Sequence, residues 1–298
     1  MPKVTIGIPV FNEASYITAT IACLKNQTLD DFEAIIADNC STDGTYTLCQ
    51  TEINGDSRFR LIQHPTNIGG AWNFDYVYRC AQANYFMWLG GHDLITPTTL
   101  WDLSKVLDLN DTVSMAMAWP CSIDERGEGM AERPMALYKF SAEREKRYLE
   151  SVELLFDCTI FHSMFRREIL TNCPMKRIIS YDHILISRLL WHGNIHYCRE
   201  CSYLRRETPS ERTQMETITG DRSASVSRYD FARAYVFDFQ ELYNGDIKDR
   251  RKYCAEILKK LVSRFGPSCL RDDRIGPYQS DMEDLLKENC PRAFWRRW

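Results

Sequence analysis

Acidic and histidine side chains follow two apolar runs, at positions where they could bind a ligand. Asp38 follows residues 32–37, whereas His92 and Asp93 follow residues 85–89. A carboxylate accepts charge-assisted hydrogen bonds, which are stronger than neutral ones, and an imidazole beside a carboxylate is a potential metal ligand. The order of residues therefore predicts a hydrogen-bonding side chain after one strand and a charged cluster after another.

Asp182 is the first residue of a third segment that could take part in catalysis, residues 182–192. The pattern over this range predicts an amphipathic helix. Its apolar side consists of Ile184, Leu185, Leu189 and Leu190. A carboxylate in the first turn of a helix can act as a general base or interact with the helix dipole, and the two roles are compatible. His183 follows directly, and we expect its side chain to point about 100° away from that of Asp182.

The elements that must position these residues alternate between strands and helices. Apolar runs predict strands at residues 4–10, 32–37, 59–62, 85–89 and 113–119. Helical patterns predict helices at residues 13–26, 45–52 and 70–83, and Thr96 with Pro97 predicts the start of another. This alternation is typical of an α/β fold with a doubly wound, mostly parallel sheet. Because ligands in such sheets bind beyond the carboxyl ends of the strands, the loops after residues 10, 37 and 89 should face one pocket.

The composition is that of a globular protein, with 44% hydrophobic and 26% charged residues. A net charge of −4 argues against a nucleic-acid-binding protein, because affinity for phosphate backbones needs a basic surface. We recognise no signal peptide and no apolar run long enough for a membrane span, so we expect a cytoplasmic protein. The twelve cysteines are scattered, which favours reduced thiols, and Cys198 and Cys201 form a CxxC without a second pair at zinc spacing.

Five segments together resemble the family 2 inverting glycosyltransferases, which have the GT-A fold. They are IGIPVFNE from Ile6, IIADNCSTDGT from Ile35, PTNIGGAWNF from Pro65, WLGGHD from Trp88 and YDHILISRLLWHG from Tyr181. The first two are specific because strand, acidic turn and Asp-Gly occur in register, and the similarity covers about residues 3–206. The resemblance implies a GT-A-like sheet flanked by helices, with a helical C-terminal extension.

The same resemblance divides the chain into predicted regions. Residues 1–110 would form the half that binds a nucleotide-sugar, and residues 111–206 the half that binds the acceptor. Residues 207–228 are polar, as is typical of a lid or flexible binding loop, and residues 229–298 would form the helical extension. The tail ends in FWRRW, which could make a peripheral contact with the inner face of a membrane or pack as a helix end.

Matches to the family's motifs imply which residues bind the donor. They are Pro9, Phe11, Asn12 and Glu13 in the first loop, then Asp38, Asn67, Gly70, and the basic pair Arg205 and Arg206. An aromatic or apolar wall suits a base, a helix N-terminus favours phosphate, and basic side chains suit a diphosphate. Each group also has an ordinary structural interpretation: a strand-to-helix turn, a turn aspartate, a plain helix start and a solvated charge pair.

Residues 90–93 depart from the family pattern. Where the family usually carries Asp-x-Asp, this chain has Gly90, Gly91, His92 and Asp93. Either His92 binds a divalent cation, alone or with Asp93, or the register is shifted by one and Asp93 takes that role. A third interpretation needs no metal, because basic side chains neutralise the charge, and a fourth is a loop histidine with a capping aspartate. An imidazole ligand would favour Mn²⁺ over Mg²⁺, which prefers oxygen.

On the acceptor side, the resemblance assigns the catalytic base to Asp182 and places His162 in the acceptor pocket. These assignments imply transfer of a sugar from a nucleotide-sugar, with UDP as the expected nucleotide, to a hydroxyl of a cell-surface glycan or lipid-linked acceptor. The altered Asp-x-Asp motif supports an alternative, a non-catalytic nucleotide-sugar-binding or scaffold protein. A nucleotidyltransferase is disfavoured because residues 9–13 are neither glycine-rich nor basic.

Overall fold

The computed structural model describes residues 1–171, 173, 175, 180–207 and 228–270. Its strands are β1 (Val4–Val10), β2 (Phe32–Asp38), β3 (Phe59–Gln63), β4 (Tyr85–Trp88), β5 (Leu94–Ile95), β6 (Val113–Ile123), β7 (Gly129–Glu132), β8 (Met164–Arg166) and β9 (Asn194–Arg206). Its α-helices are α1 (Ile17–Lys25), α2 (Thr45–Glu52), α3 (Gly70–Cys80), α4 (Thr99–Leu109), α5 (Arg144–Leu154), α6 (Tyr181–His192), α7 (Arg228–Leu242) and α8 (Ile247–Phe265). The FWRRW tail and all but the two end positions of the predicted lid lie outside these residues.

One sheet contains these nine strands, in the order β3-β2-β1-β4-β8-β6-β9-β5, with β7 paired to β6. Strands β1 to β4 pair in parallel, as the alternation of strands and helices predicts. Beyond β4 the pairing is mixed, because β8 runs antiparallel to β4 and β6, whereas β6 and β9 are parallel. In the register of the first strands, Val10 lies opposite Asp38, and Asp38 lies opposite Gln63. The carboxyl ends of β1, β2 and β3 are therefore side by side.

Burial on both faces explains the continuous apolar runs of the first strands. All seven residues of β1 are buried, and Gly7 among them allows close packing, since a Cβ there would lie 2.7 Å from Phe86 and from Val77 of α3. Asn73, in the first turn of α3, donates a hydrogen bond to the carbonyl of Ala37 (2.8 Å). The N-terminus of α3 is thereby fixed beside the end of β2.

Two helices begin later than the sequence pattern predicts. α1 begins at Ile17 and not at residue 13, because the preceding backbone bonds to the loop after β2, as in the 3.0 Å bond from the Ala14 N–H to Asp43 Oδ2. α4 begins at Thr99 and not at Pro97. The short strand β5 pairs with β9 directly before α4 and keeps that part of the chain extended.

A buried polar network joins three of the helices in the second half of the chain. Arg188 of α6 donates to Asp238 of α7 (2.7 Å), and the hydroxyl of Tyr148 in α5 donates to the same carboxylate (2.9 Å). Ser151 of α5 also donates to Ser187 of α6 at 2.7 Å. The network fixes helix α6, which carries Asp182 in its first turn.

None of the helices in the described ranges is both long and apolar enough to cross a membrane. The eleven cysteines in those ranges are all free thiols. Cys198 and Cys201 of the CxxC pair are both buried in β9.

Candidate active site

Asp38 is the last residue of β2 and is fully buried. Its Oδ2 accepts hydrogen bonds from the Ser41 N–H (3.1 Å) and from Gln63 Nε2 (3.4 Å). Its Oδ1 is buried without a hydrogen-bond partner. An unpaired buried acceptor costs about 1–3 kcal/mol, so this oxygen is suited to a donor group that a ligand brings to the end of the strand.

The loop after β1 is hydrogen-bonded to the loop after β2. Asn12 has a left-handed backbone (φ 56°), its N–H donates to Ser41 Oγ (2.8 Å), and its Oδ1 accepts from the Thr42 N–H (2.9 Å). Phe11 is half-buried, whereas Pro9 is buried inside β1. Pro9 therefore offers little surface to a base, and Phe11 is the better side chain for a stacking wall.

Asp43 fills the structural role that a turn aspartate would have. Its Oδ1 accepts from the Thr45 N–H (3.0 Å), and its Oδ2 accepts from the Ala14 N–H (3.0 Å). Burial alone would raise the pKa of Asp43, but the hydrogen bonds from Thr45 and Ala14 outweigh it and lower the pKa. With Asp43 holding the turn, Asp38 is left available to a ligand.

Asn67 and Gly70 lie in the segment that leads into α3. Asn67 Oδ1 accepts hydrogen bonds from Asn39 Nδ2 (2.9 Å) and from the Gly69 N–H (2.8 Å). Gly69 has φ 87°, a left-handed conformation that favours glycine. Because Asn39 directly follows Asp38, these bonds anchor the N-terminus of α3 next to the unpaired carboxylate oxygen.

His92 contacts Glu13 and thereby joins the loop after β4 to the loop after β1. His92 Nδ1 lies 3.1 Å from Glu13 Oε1, and His92 Nε2 lies 3.9 Å from Asp93 Oδ1. Burial alone would lower the pKa of His92, but the hydrogen bond to Glu13 and the charge of Asp93 outweigh it and raise the pKa. The His92 side chain is 33% exposed, so a ligand can reach it.

Asp93, in contrast, is buried and both of its carboxylate oxygens have partners. Oδ2 accepts from the Tyr203 hydroxyl (2.5 Å), and Oδ1 accepts from the Arg206 N–H (2.8 Å). A Cβ at residue 90 would lie 2.6 Å from Asp93 Oδ2, so Gly90 makes room for the carboxylate. This placement favours a positioning role for Asp93 over the predicted role of metal ligand.

Arg206 is also buried, and three of its five guanidinium N–H groups donate hydrogen bonds to backbone carbonyls. Its guanidinium donates to the backbone carbonyls of His92 (2.8 Å), Asp124 (2.8 Å) and Glu125 (2.9 Å). An arginine used in this way has only two N–H groups left for phosphate oxygens. The placement favours a structural role over the predicted contact with a diphosphate.

Arg205 belongs to a more open charged cluster around Asp157. Arg205 Nη1 donates to Thr159 Oγ1 (2.8 Å) and to Asp157 Oδ1 (3.2 Å), and Arg133 donates to the other oxygen of Asp157 (2.5 Å). Burial would raise the pKa of Asp157, but the hydrogen bonds from Thr159 and Arg133 outweigh it and lower the pKa. Because the Arg205 side chain is 39% exposed, it keeps surface for an anionic ligand.

His162 lies beside the residues at the end of β4. Its Nδ1 is 3.1 Å from the carbonyl oxygen of Trp88, and its ring stacks on Tyr203 with centroids 5.0 Å apart. Burial lowers the pKa of His162, although the nearby Asp93 opposes the shift. The imidazole is therefore neutral near pH 7, and Nε2 is its acceptor when Nδ1 donates to the carbonyl.

Asp182 lies in the first turn of α6, as predicted, and is partly exposed. One ligand atom each from Asp182, His183 and Cys158 lies within 4.8 Å of the other two. The rotation of about 100° between neighbouring helix residues therefore does not prevent the ligand atoms of Asp182 and His183 from lying close together. The short turn Cys158–His162 then connects Asp182 to the histidine beside β4.

Comparison with known proteins adds to this geometry. Residues 5–173, more than half of the chain, match the family described as Glycosyl transferase family 2. The chain belongs to this family.

Among its relatives, an uncharacterized glycosyltransferase of Haemophilus influenzae is 33% identical over 95 residues, which are 32% of this chain and 38% of that protein. The putative teichuronic acid biosynthesis glycosyltransferase TuaG of Bacillus subtilis is 32% identical over 92 residues, which are 31% of this chain and 36% of TuaG. The matched parts therefore span well under half the length of these relatives.

A solved structure, residues 1–349 of S. aureus TarS in complex with UDP-GlcNAc, superposes with a TM-score of 0.67 at 17% identity. The superposition covers 97% of this chain and 82% of that chain. The likeness confirms the predicted GT-A-like fold.

Sequence analysis missed several site residues. Most of them lie where the strand pairing is mixed, beyond β4, or in the turns beside those strands. Tyr203 and Asp157 stand outside any motif. Tyr203 contacts Asp93, and Asp157 contacts Arg205; both contacts depend on the position of β9, which carries Tyr203 and Arg205. The contact between Glu13 and His92 likewise joins residues far apart in sequence. The contact of Gln63 with Asp38 could have been predicted from sequence, because the parallel register of β2 and β3 places the two residues opposite each other.

Proposed function

We propose that the chain is an inverting glycosyltransferase that moves a sugar from a UDP-sugar to a hydroxyl of a cell-surface glycan or lipid-linked acceptor. The observation that carries the proposal is the buried, unpaired Oδ1 of Asp38 at the carboxyl end of β2. Family membership supports the reaction class, and TarS, solved with UDP-GlcNAc, supports the donor. The names of TuaG, for teichuronic acid biosynthesis, and of TarS, for poly(ribitol-phosphate), support an envelope glycan as acceptor.

In this proposal, residues 1–110 bind the donor and residues 111–206 bind the acceptor. Asp38 accepts a hydrogen bond from the base or ribose, and the half-buried ring of Phe11 lies against the base. The diphosphate lies towards the N-terminus of α3 at Gly70, where the helix dipole favours negative charge. Arg205, with its partly exposed guanidinium, contributes positive charge at that end.

The divalent cation that the family pattern implies has one suitable ligand in the loop after β4. His92 fits, because its Nδ1 is held by Glu13 while its side chain is partly exposed. Asp93 fits less well as a ligand, because it is buried and each of its oxygens already accepts a hydrogen bond, from Tyr203 or from Arg206. We infer that His92 holds the cation, with Mn²⁺ preferred over Mg²⁺ for an imidazole ligand. When bound, the cation supplies charge neutralisation for the leaving diphosphate.

Asp182 acts as the general base of the transfer. Its carboxylate takes the proton of the acceptor hydroxyl while the hydroxyl oxygen attacks the anomeric carbon. The new C–O bond forms as the bond to the diphosphate breaks, so the configuration at that carbon inverts. His162, neutral beside the end of β4, contributes Nε2 as an acceptor for a hydroxyl of the acceptor sugar.

The test compares Asp182→Asn with a matched control, Asp249→Asn. Asp249 is exposed and lies in the first turn of α8, so the control makes the same chemical change at an equivalent helix position. Release of UDP from a screen of UDP-, GDP- and dTDP-sugars identifies the donor, and calorimetry measures UDP binding. We expect turnover to fall about 10²–10⁴-fold in Asp182→Asn, with UDP affinity unchanged and the control fully active.

The alternative, a non-catalytic nucleotide-sugar-binding or scaffold protein, makes a different prediction for the wild-type chain. It would bind UDP but neither hydrolyse nor transfer any sugar in the screen, with or without Mn²⁺. That result would replace the enzyme proposal. Equal turnover in Asp182→Asn and the wild type would instead remove Asp182 as the base.

A further inference from the structure

Three side chains with different ligating atoms meet on the acceptor side of the molecule. Cys158 begins the turn Cys158–His162, and Asp182 and His183 occupy the first turn of α6. One sulfur, one carboxylate oxygen and one imidazole nitrogen lie within 4.8 Å of one another. Among the residues that the structure describes, no other set of three His, Cys, Asp or Glu side chains meets this distance.

A second observation points to a ligand at the same place. His183 is 7% exposed, and its Nδ1 is buried without a hydrogen-bond partner. Its ring is held edge-on against Phe231, with centroids 5.9 Å apart. A buried ring nitrogen without a partner costs free energy, and a metal ion bound through Nδ1 would remove that cost. Cys158 and Asp182 are partly exposed, so an ion from solution can reach them.

The chemistry of the three ligands selects the kind of ion. A thiolate and a carboxylate together carry two negative charges, which balance a divalent cation, and a neutral imidazole adds none. The combination of sulfur, nitrogen and oxygen suits Zn²⁺, whereas Mg²⁺ and Ca²⁺ prefer oxygen alone. Bonds of about 2.0–2.3 Å in a tetrahedral site place ligand atoms roughly 3.3–3.8 Å apart. The ligand atoms therefore need to approach one another by no more than about 1.5 Å.

We propose that Cys158, Asp182 and His183 form a zinc-binding site, with a fourth position open to water or to a hydroxyl. On binding, the thiol of Cys158 loses its proton to solvent and coordinates as a thiolate. Arg264 lies near the cluster, and its guanidinium donates to the backbone carbonyl of Val152 (3.0 Å). The site is separate from the cation that we assign to His92.

Occupancy by zinc has a consequence that rests on the proposed function. A carboxylate bound to Zn²⁺ cannot take a proton from the acceptor hydroxyl, so zinc at Asp182 blocks the base. Zinc should therefore inhibit the transferase at a site where Mn²⁺, which binds thiolate ligands more weakly than Zn²⁺ does, does not compete well. The rate of sugar transfer would then depend on the concentration of free zinc.

The first experiment measures metal binding to the purified, metal-free full chain. Equilibrium dialysis should give one Zn²⁺ per chain, and Co²⁺ used as a spectroscopic probe should show thiolate-to-cobalt charge-transfer absorption. Cys158→Ser should abolish this absorption, and His183→Gln should weaken zinc affinity at least about tenfold. The matched control is Cys198→Ser, which removes a buried thiol of the CxxC pair. Circular dichroism and thermal unfolding verify that each variant is folded.

The outcomes distinguish this proposal from the proposed function. Absorption that survives Cys158→Ser and disappears in Cys198→Ser would move the metal to the CxxC pair and overturn the site. Failure of folded His183→Gln to change zinc affinity would overturn it as well. The second experiment measures inhibition of transfer by zinc, relative to the zinc-free rate of each protein. Zinc that binds as predicted without inhibiting transfer would leave the metal site standing and remove Asp182 as the base.

Discussion

The two carboxylates on which the proposed reaction depends are positioned in different ways. Asp38 is placed by strand register, since β2 ends at this residue between β1 and β3. Asp182 is placed by helix packing, since α6 is joined to α5 and α7 through Ser187 and Arg188. The donor end is therefore built from local loops on parallel strands, whereas the acceptor end depends on contacts between distant helices. We expect mutations outside the site to affect the acceptor end more than the donor end.

The largest expected effect concerns the ion pair that holds α6. Arg188 and Asp238 are both buried, so Arg188→Met leaves an unpaired charge inside the protein. We expect the free energy of unfolding to fall by about 3–5 kcal/mol, as measured by urea denaturation. The exposed Arg233 of α7 provides the control, and Arg233→Met should change stability by less than about 0.5 kcal/mol.

A double variant sharpens the same prediction. Replacing both partners, in Arg188→Met with Asp238→Leu, removes the unpaired charge and should recover much of the lost stability. A loss below about 1 kcal/mol in the single variant would show that the helix packing of α6 does not depend on this pair.

The same contrast explains how much of the molecule could be predicted from sequence. The first four strands and the position of Asp38 follow from apolar runs and turn residues, which are local signals. β9 could not be found in this way, because its thirteen residues mix buried and exposed positions and are held by pairing with β6 and β5. The hydrogen bonds that hold Asp93 could not be predicted for the same reason, since its partners Tyr203 and Arg206 lie more than 100 residues away in sequence.

The next prediction concerns nucleotide affinity at Asp38. In Asp38→Asn, the amide oxygen can still accept from Ser41, which leaves the NH₂ group at the position of the unpaired Oδ1. A ligand N–H or O–H would then face a donor. Hydrogen bonds to charged groups contribute about 1.5–3 kcal/mol, so we expect UDP affinity to fall roughly 10–150-fold by calorimetry.

Stability should not fall in parallel, because the variant removes a buried charge with an unpaired oxygen. Asp38→Asn should unfold at the same or a higher urea concentration than the wild type. As a control, Asp111→Asn changes a fully exposed aspartate and should leave both quantities unchanged. Unchanged UDP affinity in Asp38→Asn would remove Asp38 from the nucleotide site.

A smaller effect is expected at the diphosphate end. His92→Ala removes the proposed metal ligand, and we expect turnover at fixed Mn²⁺ to fall about 10–100-fold. Excess Mn²⁺ should restore part of the activity, because the diphosphate itself still binds the cation. Wild-type activity that persists in EDTA, together with full activity of His92→Ala, would exclude a metal role for His92 and favour neutralisation by Arg205.

The smallest effect tests the contact between Glu13 and His92 through its pH dependence. The folded state raises the pKa of His92, so the contact stabilises the protein below the unfolded value of about 6.5 and is lost as pH rises through the folded value. Because His92 is partly exposed, the contribution is less than about 1 kcal/mol. Glu13→Gln should therefore reduce the free energy of unfolding at about pH 5.5 and have little effect at about pH 8.5.

A double-mutant cycle with His92→Gln isolates this interaction from other effects of removing Glu13. The coupling energy should be present at about pH 5.5 and vanish at about pH 8.5, whereas Glu128→Gln, at an exposed turn residue, should show no pH-dependent change. Coupling of the same size at both pH values would mean that a neutral hydrogen bond accounts for the contact. In that case a neutral hydrogen bond would join the loops after β1 and β4, as the hydrogen bonds of Asn12 with Ser41 and Thr42 join the loops after β1 and β2.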